Sequence, residues 1–145
     1  MVSLEAPTRL KIKNEEFLLP LLLDLTNPSP AIGWSNDERQ SIYQRRNPQL
    51  ILALALVHHL VISNNIPMLK IAKLFSKISR HLIIEFVPKN DSQVKKLLSS
   101  REDIYHDYKK ETFEKIFSKF YQITASNQIL NSRRTIYCME RLGDD

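Results

Sequence analysis

Residues 50–57 read LILALALV, a run of eight apolar residues without a charge. In so short a run the periodicity alone does not separate a buried strand from a helix. Its length and the helical patterns on either side favour a strand that is buried on both faces, as in a parallel sheet. Residues 82–87, LIIEFV, predict a second strand of this kind, which Pro88 closes.

Helical and hairpin patterns follow these two strands. A helix is predicted after Pro67, a typical first-turn residue, because apolar residues then recur at i, i+3, i+4 and i+7: Ile71, Leu74, Phe75 and Ile78. Asp91 or Ser92 can cap a further helix, and a last one carries Phe113, Ile116, Phe117 and Phe120. Residues 121–125 and 135–139 alternate in polarity and predict an antiparallel pair.

The N-terminal part is less regular. Residues 1–16 are polar and predict an arm, and residues 17–25 read FLLPLLLDL. Pro20 disfavours a helix interior and the middle of a central strand, so we expect a strand over residues 19–25 that begins at this proline. Ser35 and Glu38 have the spacing of a capping box and predict a helix over residues 36–46.

Strands that alternate with helices imply crossover connections. We therefore expect an α/β fold with a mostly parallel sheet, a C-terminal antiparallel strand pair and flanking helices. Residues 17–141 form one domain in this interpretation, and residues 142–145 are a tail.

Glycine is scarce: the chain has two glycines in 145 residues, where average usage predicts about ten. Gly33 and Gly143 are too far apart to form a glycine-rich phosphate loop, which needs several glycines within a few residues. The single cysteine, Cys138, excludes an intramolecular disulfide and a multi-cysteine zinc site.

The net charge of +5 resides in one region, since residues 70–119 hold twelve Lys and Arg against seven Asp and Glu. Lysines at helical spacing are typical of a solvated helix face, so nucleic-acid binding is the less favoured interpretation. No apolar run reaches the roughly 18 residues that a membrane helix needs. We expect a cytoplasmic protein that does not enter a membrane.

Polar residues gather where the predicted strands end, the edge at which α/β sheets bind ligands. Asp24 follows the first strand; it either caps the turn or binds a ligand. His58 and His59 follow the second, as a general base, a substrate contact or hydrogen-bonded junction residues. As neighbours in a strand they should face opposite sides, which disfavours a metal pair. Glu85 lies within the third strand and needs a partner if it is buried.

Three segments carry a family resemblance: residues 24–34 (DLTNPSPAIGW), 52–67 (LALALVHHLVISNNIP) and 83–104 (IIEFVPKNDSQVKKLLSSREDI). They resemble a bacterial family of class I S-adenosylmethionine-dependent methyltransferases, some members of which are described as nodulation-related proteins. The resemblance implies the Rossmann-like methyltransferase sheet with strand order 3-2-1-4-5-7-6. Residues 19–25, 50–57 and 82–87 would be its third, fourth and fifth strands, and the C-terminal pair its sixth and seventh.

The resemblance also implies the functional residues. Asp24 and Leu25 match the position that contacts the adenine of S-adenosylmethionine, and Ala55 and Leu56 match the methionine side of the cofactor. His58, His59 and Glu85 are the candidate catalytic residues, with an imidazole contacting the methyl acceptor or acting as its base.

The first two family strands, which carry the glycine-rich cofactor loop, have no counterpart in this sequence. We therefore expect a truncated methyltransferase domain that is active only when those strands are supplied, with an unknown acceptor. The alternative is a non-catalytic remnant or interaction protein that associates through an exposed sheet edge. Self-association and complementation by an N-terminal fragment are the corresponding partner hypotheses.

Overall fold

A computed structural model describes residues 21–45, 48–100 and 102–143. Within these ranges the chain forms four strands, five helices, most of them short, and the 3-10 turn Trp34–Asn36. The helices are α1 (Ile42–Arg45), α2 (His59–Ser63, a π-helix), α3 (Met68–Ile78), α4 (Ser92–Leu98) and α5 (Lys110–Phe117). The strands are β1 (Leu50–Ala53), β2 (His81–Phe86), β3 (Tyr121–Gln128) and β4 (Thr135–Arg141).

The four strands form one open, mixed sheet in the order β1-β2-β4-β3. β1 and β2 run parallel, with Leu52 opposite Ile83. β4 lies antiparallel to β2, with Cys138 opposite Ile83, and antiparallel to β3 on its other side. β3 carries a register shift between Ile123 and Ala125. The connection from β1 to β2 through α3 is therefore the crossover that parallel pairing requires.

One face of the sheet is packed into the core. Leu82, Ile84 and Phe86 of β2 and Tyr137 and Met139 of β4 point to this face and are buried. The helices α3 and α5 supply the opposing apolar residues: Ile71, Ala72 and Phe75 from α3, and Phe113 and Phe117 from α5. An aromatic cluster lies at the centre, because the Phe113 ring is 5.2 Å from those of Phe86 and Tyr137 and 4.4 Å from that of Phe117.

The α/β class, the helical flanks and the C-terminal antiparallel pair are confirmed. The expectation of a mostly parallel sheet is wrong for the described residues, where one of the three strand pairings is parallel. The reason is that β4 inserts between β2 and β3 and runs against both. The strand predicted over residues 19–25 is also absent in its described part, since residues 21–24 are irregular and Leu25 and Thr26 form a turn. Residues 19 and 20 and the predicted arm, residues 1–16, lie outside the described residues.

The strand predicted over residues 50–57 is correct at its start but ends at Ala53. Leu54 and Ala55 form a bend in which Ala55 adopts a φ of +50°, a left-handed conformation that is uncommon for residues other than glycine. The chain then becomes helical from Val57 onward. His58 and His59 therefore lie in the first turn of a helix and not in a strand.

The helix predicted over residues 36–46 does not form as expected. Trp34–Asn36 make a 3-10 turn in which Ser35 has a φ of +57°, so Ser35 cannot act as the cap of a regular helix. Backbone hydrogen bonds of 3.0 and 3.1 Å between Ile32 and Arg39 close this segment into a loop, and the helical residues are limited to α1. None of the described helices has the length and apolar character needed to cross a bilayer.

The aromatic cluster should dominate stability. Phe113→Ala removes a fully buried ring that contacts three others, so we expect the free energy of unfolding to fall by about 3–5 kcal/mol. The matched control is Leu130→Ala, because Leu130 is 87% exposed. Urea denaturation followed by circular dichroism measures both variants; equal stabilities would contradict this account of the core.

Candidate functional site

Glu85 is the centre of a polar cluster at the carboxyl end of β1 and β2. Its carboxylate is buried, and Oε2 accepts a hydrogen bond of 2.7 Å from the backbone N–H of Ala55. Oε1 accepts a second bond of 3.3 Å from Nη1 of Arg134. The sequence-based expectation that a buried Glu85 needs a partner is thereby confirmed, and the partner comes from the residue just before β4.

Arg134 also binds Asp91, the N-cap residue of α4. Its Nε and Nη2 atoms donate hydrogen bonds of 2.7 and 3.1 Å to the two carboxylate oxygens of Asp91. Asp91 Oδ1 additionally accepts a bond of 2.9 Å from the backbone N–H of Gln93. The hydrogen bonds with Arg134 lower the pKa of Asp91, and the same bonds raise the pKa of Arg134. Both groups are therefore charged over the physiological pH range.

His58 lies beside this cluster and is buried, with 2% of its surface exposed. Its Nδ1 atom has no hydrogen-bond partner among the described residues. Burial is the main cause that lowers the pKa of His58 to about 4, and the neighbouring His59 and Arg134 side chains add to it. The imidazole is therefore neutral near pH 7, which suits a positioning or proton-accepting role better than that of a cation.

His59 is exposed, and its ring centroid lies 4.2 Å from that of His58. The expectation that the two imidazoles face opposite sides is wrong, because helical geometry places neighbouring residues about 100° apart and not 180°. Among the described residues, no group of three or more His, Cys, Asp or Glu side chains is arranged to hold a metal ion.

The described hydrogen bonds of the Asp24 side chain are made with Thr26 and not with the Glu85 cluster. Its Oδ1 atom accepts bonds from the backbone N–H of Thr26 at 2.8 Å and from the Thr26 hydroxyl at 2.7 Å, and these bonds lower the pKa of Asp24. This is the turn-capping arrangement that the sequence left open as one alternative. The neighbouring Leu25 and the more distant Leu56 line one apolar groove of about 1060 Å³ beside β1.

Sequence reasoning missed two members of the cluster. The sequence indicates Asp91 only as a helix cap and gives no indication of a role for Arg134. The one signal available was the carboxylate within the apolar run of residues 82–87, which required a cation that local spacing could not locate. Arg134 is 49 residues away from Glu85 in the chain.

The comparisons with known proteins identify a relative of this chain among the nodulation proteins. The chain is 38% identical over 139 residues to the nodulation protein NoeA of Rhizobium meliloti strain 1021. The alignment covers 96% of this chain but 29% of the relative, so the chain spans less than a third of the protein that it matches. No family model matches the chain, and no solved structure matches it.

The depressed pKa of His58 predicts a pH-dependent stability. As the pH falls, His58 takes up a proton in the unfolded chain, where its pKa is near 6.5, before it does so in the folded chain, where its pKa is about 4. The folded state is therefore fully stable with respect to this group above pH 6.5, and its free energy of unfolding falls between pH 6.5 and about 4. Between pH 7 and pH 5 the loss should be about 2 kcal/mol. In His58→Gln this part of the pH dependence should disappear. Urea denaturation at the two pH values measures it; an unchanged slope in the variant would contradict the assignment to His58.

The Glu85 cluster should contribute more to the free energy of unfolding than a surface ion pair does. Glu85→Ala takes the acceptor from the Ala55 N–H and removes one of the two carboxylate partners of Arg134, which keeps Asp91, so we expect a loss of about 2 kcal/mol. The control is Glu140→Ala, which breaks the exposed pair with Arg80 and should cost less than about 1 kcal/mol. If Glu85→Ala and Glu140→Ala lost the same stability in thermal or urea unfolding, the cluster would contribute no more than a surface ion pair.

Proposed function

We propose that this chain forms one half of an S-adenosylmethionine-dependent methyltransferase domain and becomes active when the other half of the sheet is supplied. The observation that carries the proposal is the strand order β1-β2-β4-β3. It corresponds, strand by strand, to the 4-5-7-6 half of the order 3-2-1-4-5-7-6 that the resemblance implies. The insertion of the last strand between its two predecessors is a specific topological feature and does not follow from short connections alone.

The position of the open edge supports the same proposal. Among the described residues, β1 is the terminal strand of the sheet, and its outer side is where the first strand of the complete order would lie. The bend at Leu54 and Ala55 is at the carboxyl end of β1, next to the missing neighbour, which is the place where open α/β sheets bind their ligands.

The residues of this chain offer one side of a cofactor site and not a complete one. Leu25 and Leu56 line a common groove, and Ala55 is exposed at the bend. Gly33 cannot serve as a cradle, because the Glu38 side chain fills the space beside its Cα. The described residues therefore do not fit the whole cofactor, and we derive no methyl-transfer step for the chain alone.

Within the proposed domain the candidate catalytic residues divide by exposure. His59 is exposed and can contact a methyl acceptor or take its proton. His58 is buried behind it and packs against its ring, which fits a positioning role. Glu85 fixes the Ala55 bend through the backbone N–H and acts on the site through that bend.

A non-catalytic interaction protein is the second candidate. It is favoured by the four apolar residues of β1, Leu50–Ala53, which form an edge strand within the described part of the chain, since apolar edges promote association. In this case the chain would assemble with a partner without binding S-adenosylmethionine.

Calorimetric titration with S-adenosylmethionine separates the two candidates. The chain alone should show no binding at micromolar cofactor, and binding should appear when the chain is co-expressed with the parts of the Rhizobium meliloti relative that lie outside the matched residues. His59→Ala in that complex should retain the cofactor and lose methyl transfer. Tight binding by the chain alone would contradict the incomplete site, and absence of binding in the assembled complex would contradict the methyltransferase proposal.

A further inference from the structure

An apolar groove of about 1060 Å³ lies between residues 21–48 and the β1–α3 region. Leu21, Leu23 and Leu25 contribute to its lining from the first part, and Ile51 and Leu74 from the second. Every second residue of the stretch 21–25 thus lines the groove, as in an extended segment. The volume is close to the upper end of the range of small-molecule sites, about 300–1,000 Å³. The groove therefore has the size and the mostly apolar lining of a ligand site.

The charged groups in this lining have one sign. Arg45 and Lys70 line the groove, and no Asp or Glu among the described residues does so. The Nε atom of Arg45 donates a hydrogen bond of 3.3 Å to the backbone carbonyl of Gln40. Neither cation has a carboxylate partner within the described part of the chain. The groove thus combines an apolar lining with two positive charges that no acidic residue neutralises.

The helix that carries Lys70 adds to this positive charge. Lys73 and Lys77 are also exposed on α3, and the helix contains no acidic residue. Charges of one sign along a concave surface raise the local concentration of ions of the opposite sign. The charge of the groove is therefore complementary to an anion, and its lining is complementary to an aliphatic body.

We propose that this groove binds a small amphiphile with an aliphatic chain and a carboxylate head, of the fatty-acid type. The chain lies against the leucine and isoleucine side chains, which removes apolar surface from water. The carboxylate pairs with Arg45 and Lys70, and a guanidinium can bind a carboxylate through two parallel hydrogen bonds. The proposal goes beyond the proposed function and requires neither S-adenosylmethionine nor methyl transfer. Because the groove shares Leu25 and Leu56 with the proposed cofactor side, the variants below leave these two residues unchanged.

Calorimetric titration of the full chain with decanoate, and with decanol as the neutral analogue, tests the two parts of the ligand separately. Decanoate should bind saturably and at least about tenfold more tightly than decanol, because hydrogen bonds to charged groups are the stronger ones. The double variant Arg45→Ala/Lys70→Ala should lose this preference and bind both compounds equally.

The matched control is the double variant Lys73→Ala/Lys77→Ala. It removes the same charge from the surface of α3, but neither lysine lines the groove. Its affinity for decanoate should fall by less than about twofold, since exposed charges at a distance are screened by salt. Equal losses in the two double variants would overturn the assignment of the carboxylate to Arg45 and Lys70.

A second pair of variants tests the apolar part of the groove. Leu23→Asp places a negative charge in the lining and should weaken the binding of both compounds at least about tenfold. Leu22→Asp is the control, because Leu22 is 77% exposed and does not line the groove, and it should bind like the wild type. Both residues lie outside the helices and strands, and circular dichroism checks that each variant remains folded.

Three results would overturn the proposal. The first is that the wild type shows no saturable binding of decanoate, which is the result expected if residues 1–20 of this chain fill the groove themselves. The second is that decanoate and decanol bind the wild type equally. The third is that Leu22→Asp and Leu23→Asp have the same effect, which would place the amphiphile elsewhere on the surface.

Discussion

The carboxylate of Glu85 holds four parts of the fold together. It fixes the Ala55 bend after β1, lies within β2, and through Arg134 connects the start of β4 to Asp91 at the beginning of α4. The bend separates β1 from α2, and Arg134 lies directly before β4, which pairs with β2 along its length. Removing this carboxylate would take the acceptor from the Ala55 N–H and one of the two carboxylate partners from Arg134, which keeps Asp91. We expect this to cost more than the loss of a surface ion pair.

The regular elements could be predicted where a local pattern was sufficient. α3 follows from its apolar spacing after Pro67, and β2 and the C-terminal hairpin follow from short apolar or alternating runs bounded by turn residues. The end of β1 could not be predicted, because Leu54 and Ala55 are as apolar as the strand before them. Their bend is held by a hydrogen bond that the Ala55 N–H donates to Glu85, 30 residues later in the chain. Tertiary contact overrides strand propensity there.

The candidate site was predictable in part for the same reason. The sequence identified Glu85 as a buried carboxylate that needs a partner, but the position of Arg134 depends on the insertion of β4 between β2 and β3. The relation between His58 and His59 was predicted wrongly, because it depended on the misplaced end of the strand. Asp24 is found in its own turn with Thr26, and its role toward an adenine stays a prediction that the resemblance carries.

The strand order connects the fold to the proposed function, because the described sheet ends in the apolar strand β1 at the side where a methyltransferase sheet would continue. A crystal structure of the full-length Rhizobium meliloti relative tests this claim most directly. The account predicts that the strand aligned with Leu50–Ala53 is internal, paired in parallel on its outer side with a strand followed by a glycine-rich turn. A structure in which that strand is the solvent-exposed edge of a four-stranded sheet would contradict it.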